Sequence, residues 1–501
     1  VDKGPTRTLE YSADAMNLRF GPGHIVEHVN GSRNARLVST APTSQTTVNS
    51  DQIDLEFART GDESMLTRAR ASGGASVQST PLARAGVPPP DTRLLKSRSV
   101  LLHMRSGGEE IDRVEADSPG HVEFLPNRPE NRKRTVDGNN MTMHYGAANQ
   151  IRSFTATEVT TRTEPLEAKG RNPGAPALTS SKGMTAHFDE KTGALTLLEQ
   201  WENFRYQEGE RRARSERAEF RQPTEQILLT GTARIEDSTS STDADRITLN
   251  QKSGDLEAVG NVASMRQPDA KKDAKGGMLS ANAPVQARAA RMTTTGDNSI
   301  IVYDGSALLW QGADRIQANT IRIDQKANSL WAQGSVQTRL LDKNAAQAAG
   351  PNTKARKREP AFTFGRAPEF EYDDKTRLAH YRGGATLTQG PTVVTARDIR
   401  AWLAPEGAAS SLEKAFADGD VKIVQTAADR TRTGTSEHCE YYPLENKVLL
   451  SGGKPVFQDS VKGTTAGRRI TFYSTEDRVE VEGEAQQPVE TRILRRKKSG
   501  S

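Results

Sequence analysis

The sequence has a single cysteine, Cys439, which excludes an internal disulfide and any multi-cysteine metal site. It also lacks an apolar run approaching the ~18 residues of a membrane-spanning helix, and it shows no charged start followed by an apolar stretch of the signal-peptide kind. Aromatic residues are scarce at 5%, and apolar residues make up 34% against 27% charged, so a thick globular core is hard to build. Nor is there an excess of one charge: 69 Lys and Arg face 64 Asp and Glu, a net of +5 spread along the chain, which does not point to nucleic acid. The densest basic clusters, 132–134, 354–358 and 495–498, sit beside Gly, Pro, Asn or Ser and read as solvated loops and a basic tail. The sequence starts at Val1 rather than Met, and an anchor or targeting segment removed before Val1 is an expectation that follows.

What the chain does have is glycine, Ser, Thr and proline punctuating short alternating apolar runs, and an internal repeat. A glycine following such a run returns at Gly231, Gly260, Gly305, Gly334, Gly383, Gly419, Gly452 and Gly483. Thirteen residues before most of them begins an apolar pair: Ala218 and Phe220, Ile247 and Leu249, Met292 and Thr294, Ile321 and Ile323, Phe370 and Tyr372, Cys439 and Tyr441, Ile470 and Phe472. The unit of Ile399 and Ala401 has a longer gap before Gly419, filled by a loop insertion with Pro405, Glu406 and Gly407.

Positions four and two before the glycine, and two after it, are mostly apolar, as in Leu256, Ala258 and Val262 or Leu330, Ala332 and Val336. Alternation of this kind puts one set of side chains on one sheet face, because successive Cβ atoms in a strand point to opposite sides. Turn formers such as Asp373-Asp374-Lys375-Thr376 separate the apolar segments, so each unit reads as a hairpin. The glycine answers either to crowding by a neighbouring chain or to a bulge.

Upstream the pattern weakens. Ala186, Phe188, Leu195 and Leu197 lack the glycine, Leu166, Ala168 and Gly170 carry only the second half, and residues 11–20, 53–57, 100–104 and 114–124 read as strands without a fixed register. The stretches 268–288 and 341–360 interrupt the repeats as loops, with a short helix allowed near 342–349.

The residues 244–249 running on to 256–262, and 452–459 followed by 465–472, resemble the repeat of the OstA-like family, which includes the lipopolysaccharide-transport proteins LptA and LptC and part of LptD. The likeness covers 185–491, while 1–180, with Leu9, Tyr11 and Ala13 near its start, is similar in style to an LptC-type module. The divisions expected are therefore an LptC-like portion over 1–180, an LptA-like portion over 181–494 and a tail over 495–501. The resemblance implies an all-β fold, an elongated, twisted jellyroll of stacked antiparallel hairpins, open along one side. It further implies lipopolysaccharide transport across the periplasm, with acyl chains in an apolar groove. Partners implied are lipopolysaccharide, other bridge jellyrolls joined end to end by strand pairing through the first strands and those near 489–494, an inner-membrane ABC transporter and an outer-membrane receptor. No cofactor, catalytic role or nucleic acid is implied.

The groove lining expected from the inward set is Ile247, Leu249, Leu256, Ile321, Ile323, Leu330, Phe370, Tyr372, Ile399, Tyr441, Ile470, Phe472 and Val479, with Cys439 a small core residue. Chemistry-bearing motifs are not found: the histidines are scattered, only His24 and His28 share a helical spacing, and the glycine pairs precede no helix. Two rivals stay open. One is a β-solenoid scaffold or surface adhesin with a dry core. The other is a polysaccharide-processing β-helix, which needs acidic residues stacked at matching repeat positions, and the repeats show no such stack.

Overall fold

The computed structural model describes residues 2–3, 8–61, 63–83, 88–117, 119–166, 174–268, 283–295, 299–342, 361–404, 412–474, 476–484 and 488–494. The insertion at Pro405, Glu406 and Gly407, Ala168, Gly170, the expected helix beyond residue 342, the basic cluster 354–358, the basic tail and most of the two long loops lie outside them.

Strands dominate, all paired antiparallel, and among the described residues the only helical elements are the single 3-10 turns Pro22–His24, Ala147–Asn149 and Gln222–Thr224. Two compact units divide the chain, one of residues 1–238 with 245–252, the other of residues 239–244 with 253–501. Residue 180 falls inside the strand Ala177–Phe188 of the first unit.

In the first unit the meander runs Val26–Thr40, Ser44–Thr60, Glu63–Pro81 and Thr92–Met104. The last of these pairs with two short strands, Ile111–Ala116 and Gly120–Leu125, so the expected strand over 114–124 is broken. The ladder then continues from Arg134–Tyr145 to Gln226–Glu236. The expected strand over 11–20 is likewise two, Thr8–Ser12 and Ala15–Phe20, lying end to end along Val26–Thr40. In the second unit successive strands from Leu256–Arg266 to Thr431–Tyr442 pair in chain order, and the last pairs with both Lys447–Ser451 and Val456–Asp459.

Both accounts of the repeated glycine hold. Seven of the eight have left-handed φ between 75° and 84°, and the next residue is left-handed too, as at Asn261, Ser306, Ser335 and Asp420. At six of them the register slips by one residue, for example between Gln333 and Val336, which marks a bulge in mid-strand, while Gly452 falls in the break between Lys447–Ser451 and Val456–Asp459. A Cβ on Gly305 would also lie 2.7 Å from the Ala290 Cβ, and one on Gly334 within 2.6 Å of the Asn319 side chain. The first unit keeps the bulge with other residues: Arg33 and Asn34, Gly73 and Gly74, Glu202 and Asn203 are all left-handed at register slips. Opposite several bulges a serine ties the neighbouring strand to itself. The hydroxyls of Ser50, Ser181, Ser215 and Ser436 each donate to the carbonyl two residues on, at 2.7 to 3.0 Å.

Hairpin turns follow from local chemistry. The carboxylates of Asp189 and Asp373 each accept the backbone N–H and hydroxyl of the Thr three residues on, which holds both well below the usual carboxylate range.

Candidate functional site

A bulge bends its strand, so the ladder divides into a first arm on the N-terminal side of the repeated glycines and a second arm on their C-terminal side, and each intervening antiparallel strand crosses from the second arm into the first or back. In the second unit the inward residues of the first arms line up across the ladder in two adjacent rows. One runs Ala258, Met292, Tyr303, Ile321, Ala332, Phe370, Tyr381, Ile399, Ala417, Cys439, Leu450 and Ile470. Its neighbour runs from Leu256 through Ile323, Leu330, Tyr372, Tyr441, Val448 and Phe472 to Val479. Eleven of the thirteen residues expected from sequence fall on these two rows, and Ile247 and Leu249 lie on the strand Ser240–Asn250. Ile247, Leu256, Ile321, Leu330, Phe370, Tyr372, Ile399, Ile470 and Phe472 are buried, while Leu249, Ile323, Tyr441 and Val479 are half-buried. Cys439 is buried, and burial pushes its thiol up to about 12.

The second arms face these rows with a mixed row in which small residues alternate with large ones at several strands, an arrangement the sequence reading missed. Their inward row runs Ser264, Ala287, Leu309, Ile316, Thr338, Gly365, Leu387, Val394, Ile423, Gly434 and Phe457. A Cβ on Gly365 would meet the Tyr381 ring at 2.4 Å, and one on Gly434 would meet Leu450 at 2.6 Å, so both glycines make room for large first-arm side chains. Polar bridges join the arms: the hydroxyls of Thr338 and Tyr381 lie 2.7 Å apart, as do those of Ser264 and Tyr303. In the first unit the Gln200 amide donates across the interior to Thr179 and Ser181. The facing residues are therefore packed on one another through much of the interior.

They part near the C-terminal strands of the second unit, leaving a cavity of about 390 Å³. Its walls include Ile423, Val448, Leu450, Phe457 and two of the expected lining residues, Tyr441 and Phe472. The volume falls within the roughly 300–1,000 Å³ of small-ligand pockets. Arg432 borders it, buried, with its guanidinium 4.5 Å from the Phe472 ring centre and its Nε donating to Asp459 at 3.3 Å. Arg432 also pairs with Asp477, which Arg430 and Lys462 approach at 3.0 and 2.5 Å. Burial alone would raise the Asp477 carboxyl, but these three cations hold it down to about 2. Arg432 thus ties the cavity wall into an ionic network, and Gln389, Thr392, Gln425, Asn446 and Ser474 add neutral polar groups to a lining that is otherwise largely apolar. Among the described residues no group of three or more His, Cys, Asp or Glu could hold a metal, and no helix is long and apolar enough to cross a membrane.

Residues 174–255 and 366–478 match the family model described as LptA/(LptD N-terminal domain) LPS transport protein. These two segments make up less than half of the 501 residues, and residues 1–173 and 256–365 lie outside the match. A solved structure of LptH, the LptA homologous periplasmic component of the lipopolysaccharide transport device from Pseudomonas aeruginosa, is similar at 21% identity, covering 26% of this chain and 95% of that chain, with a TM-score of 0.24. No curated protein matches the chain.

Proposed function

We propose that the protein carries lipopolysaccharide through the periplasm, holding acyl chains against the inward rows of its jellyroll and entering or releasing them at the cavity around Tyr441 and Phe472. The observation that carries this reading is the match of two bulged-hairpin segments to the lipopolysaccharide-transport family. The second matched segment contains all the walls of the cavity, which supports an apolar guest there.

The physics of the cargo fits such a site. An exposed methylene costs about 0.8 kcal/mol in water, so a dozen cost about 10 kcal/mol, and an apolar interior removes that barrier. Moving a chain from bilayer to interior is apolar to apolar, so the protein conducts rather than traps, and direction comes from an ATP-driven inner-membrane partner. The bridge to like jellyrolls and to an outer-membrane receptor runs through unpaired edges. Among the described residues Ala15–Phe20, with exposed Met16, Leu18 and Phe20, pairs on one side only, and Glu490–Ile493, with exposed Ile493, does the same. Residues 1–180 serve as the LptC-like portion of this bridge.

A scaffold with a dry core is the second reading, favoured by the bridges Thr338–Tyr381 and Ser264–Tyr303, which close the interior with the protein's own side chains. Mass spectrometry of lipid extracted from protein purified out of a Gram-negative envelope decides between them. Acylated glycolipid in stoichiometric amount is the outcome of the transport reading. Protein free of lipid is the outcome of the scaffold.

A further inference from the structure

Within the first unit, the outward face of the strands from Arg134–Tyr145 to Gln226–Glu236 dips into a groove of about 660 Å³. One cross-strand row of the groove runs Thr160, Ser180, Arg205, Arg214 and Arg234, each residue directly opposite the next. Three arginines thus stand side by side across two strand gaps, where like charges repel. Arg212 and Gln207 stand opposite each other two residues along, on the same face.

The strand Arg211–Arg221 makes the arrangement informative, because it carries arginines both inside and outside the groove. Outside it, Arg211 pairs with Glu208, Arg217 with Glu199 and Glu219, and Arg221 with Glu219. Inside it, Arg212 and Arg214, with Arg205 on the next strand, have no carboxylate partner among the described residues. The groove holds five arginines, counting Arg162 and Arg234, against the carboxylates of Asp137 and Glu236. Arg234 is engaged by Glu236 at 2.8 Å, and Asp137 by His121 at 2.7 Å. Exposed guanidinium forks left unpaired beside hydroxyl and amide donors match the oxygens of a phosphate ester on a sugar, which binds arginine through two parallel hydrogen bonds.

We propose that this arginine row is a binding site for a phosphorylated saccharide, separate from the apolar interior. The phosphate is borne either by a free sugar phosphate or by a glycolipid headgroup, and the same fork geometry serves both. Binding weakens with salt, because the groove is open to solvent.

Calorimetry on the full chain tests this with glucose 1,6-bisphosphate, with glucose, and with phosphatidylcholine vesicles with and without diphosphoryl lipid A. The wild type binds the bisphosphate and not glucose if a sugar phosphate suffices, or binds only the lipid A vesicles if the headgroup must be presented by a lipid. In either case R205Q/R214Q weakens binding by about tenfold or more, the loss of at least one charge-assisted hydrogen bond, and R217Q leaves it unchanged. Because the double substitution removes facing like charges, its thermal midpoint stays level or rises. The proposal is overturned if neither phosphorylated probe binds, if R205Q/R214Q binds as the wild type does, or if its midpoint falls and places the arginines in the service of the fold.

Discussion

Gly305 and Gly384 sit at left-handed positions in mid-strand and separate the two demands that a bulge makes. Gly305 has φ +81° and an added Cβ would lie 2.7 Å from the Ala290 Cβ, whereas Gly384 has φ +97° and nothing within 4 Å of an added Cβ. Gly384→Ala therefore meets backbone strain alone, about 1–2 kcal/mol for an L residue held left-handed. Gly305→Ala meets the same strain plus an overpacked contact of about 1–3 kcal/mol, for a total of roughly 2–5 kcal/mol. Removing the obstacle should return the second part: in Gly305→Ala with Ala290→Gly the loss falls back toward that of Gly384→Ala, a coupling of about 1–3 kcal/mol less the small intrinsic cost of the new glycine. Urea unfolding followed by circular dichroism reads the order of midpoints, wild type above Gly384→Ala above Gly305→Ala. Equal losses for the two substitutions would refute the crowding argument, and no loss at either would refute the bulge itself.

Other outcomes follow from the interior and its rim. Tyr381→Phe leaves the buried Thr338 hydroxyl without its 2.7 Å partner and should cost about 1–3 kcal/mol in the same unfolding assay, while Thr338→Val added to it recovers part of the loss. Gly434→Leu overfills the space under Leu450 and Ile423 and should lower the unfolding midpoint and shrink the cavity, seen as weaker binding of a fluorescent fatty-acid probe. Asp477 has its carboxyl lowered from the ordinary 3.8 to about 2, so its stabilising contribution is complete above the ordinary value and is lost as pH falls through about 2; Asp477→Asn should flatten the acid limb of a stability-against-pH curve over that window. Cys439, buried with its thiol pushed up to about 12, should resist a thiol-reactive dye at neutral pH and react once urea unfolds the chain.

The hairpin repeat was legible because glycine is the residue best suited to a left-handed bulge, and the first-arm rows were legible because strand alternation fixes which side chains share a face. Where the first unit builds its bulge from Arg33 and Asn34 or from Glu202 and Asn203, only the asparagine carries a signal, and the register there could not be read. The short strands Thr8–Ser12 and Ala15–Phe20 replace a bulge by a break, which has no glycine to mark it. Gly365 and Gly434 were overlooked for another reason. Their need arises from Tyr381 and Leu450 on the facing arm, a relation set by how the arms close and not by spacing along the chain. The same holds for the arginine row, whose members are far apart in sequence and adjacent only through the ladder.

The claim on which the rest depends is that hydrocarbon enters the hollow between the arms near the C-terminal strands of the second unit. A photo-crosslinking amino acid at Tyr441, compared with one at Lys422 on the outward face of the strand Leu412–Thr426, measures this directly in cells making lipopolysaccharide. The account predicts a lipopolysaccharide adduct at Tyr441 and none at Lys422. Adducts at neither position, or equal labelling at both, would contradict it.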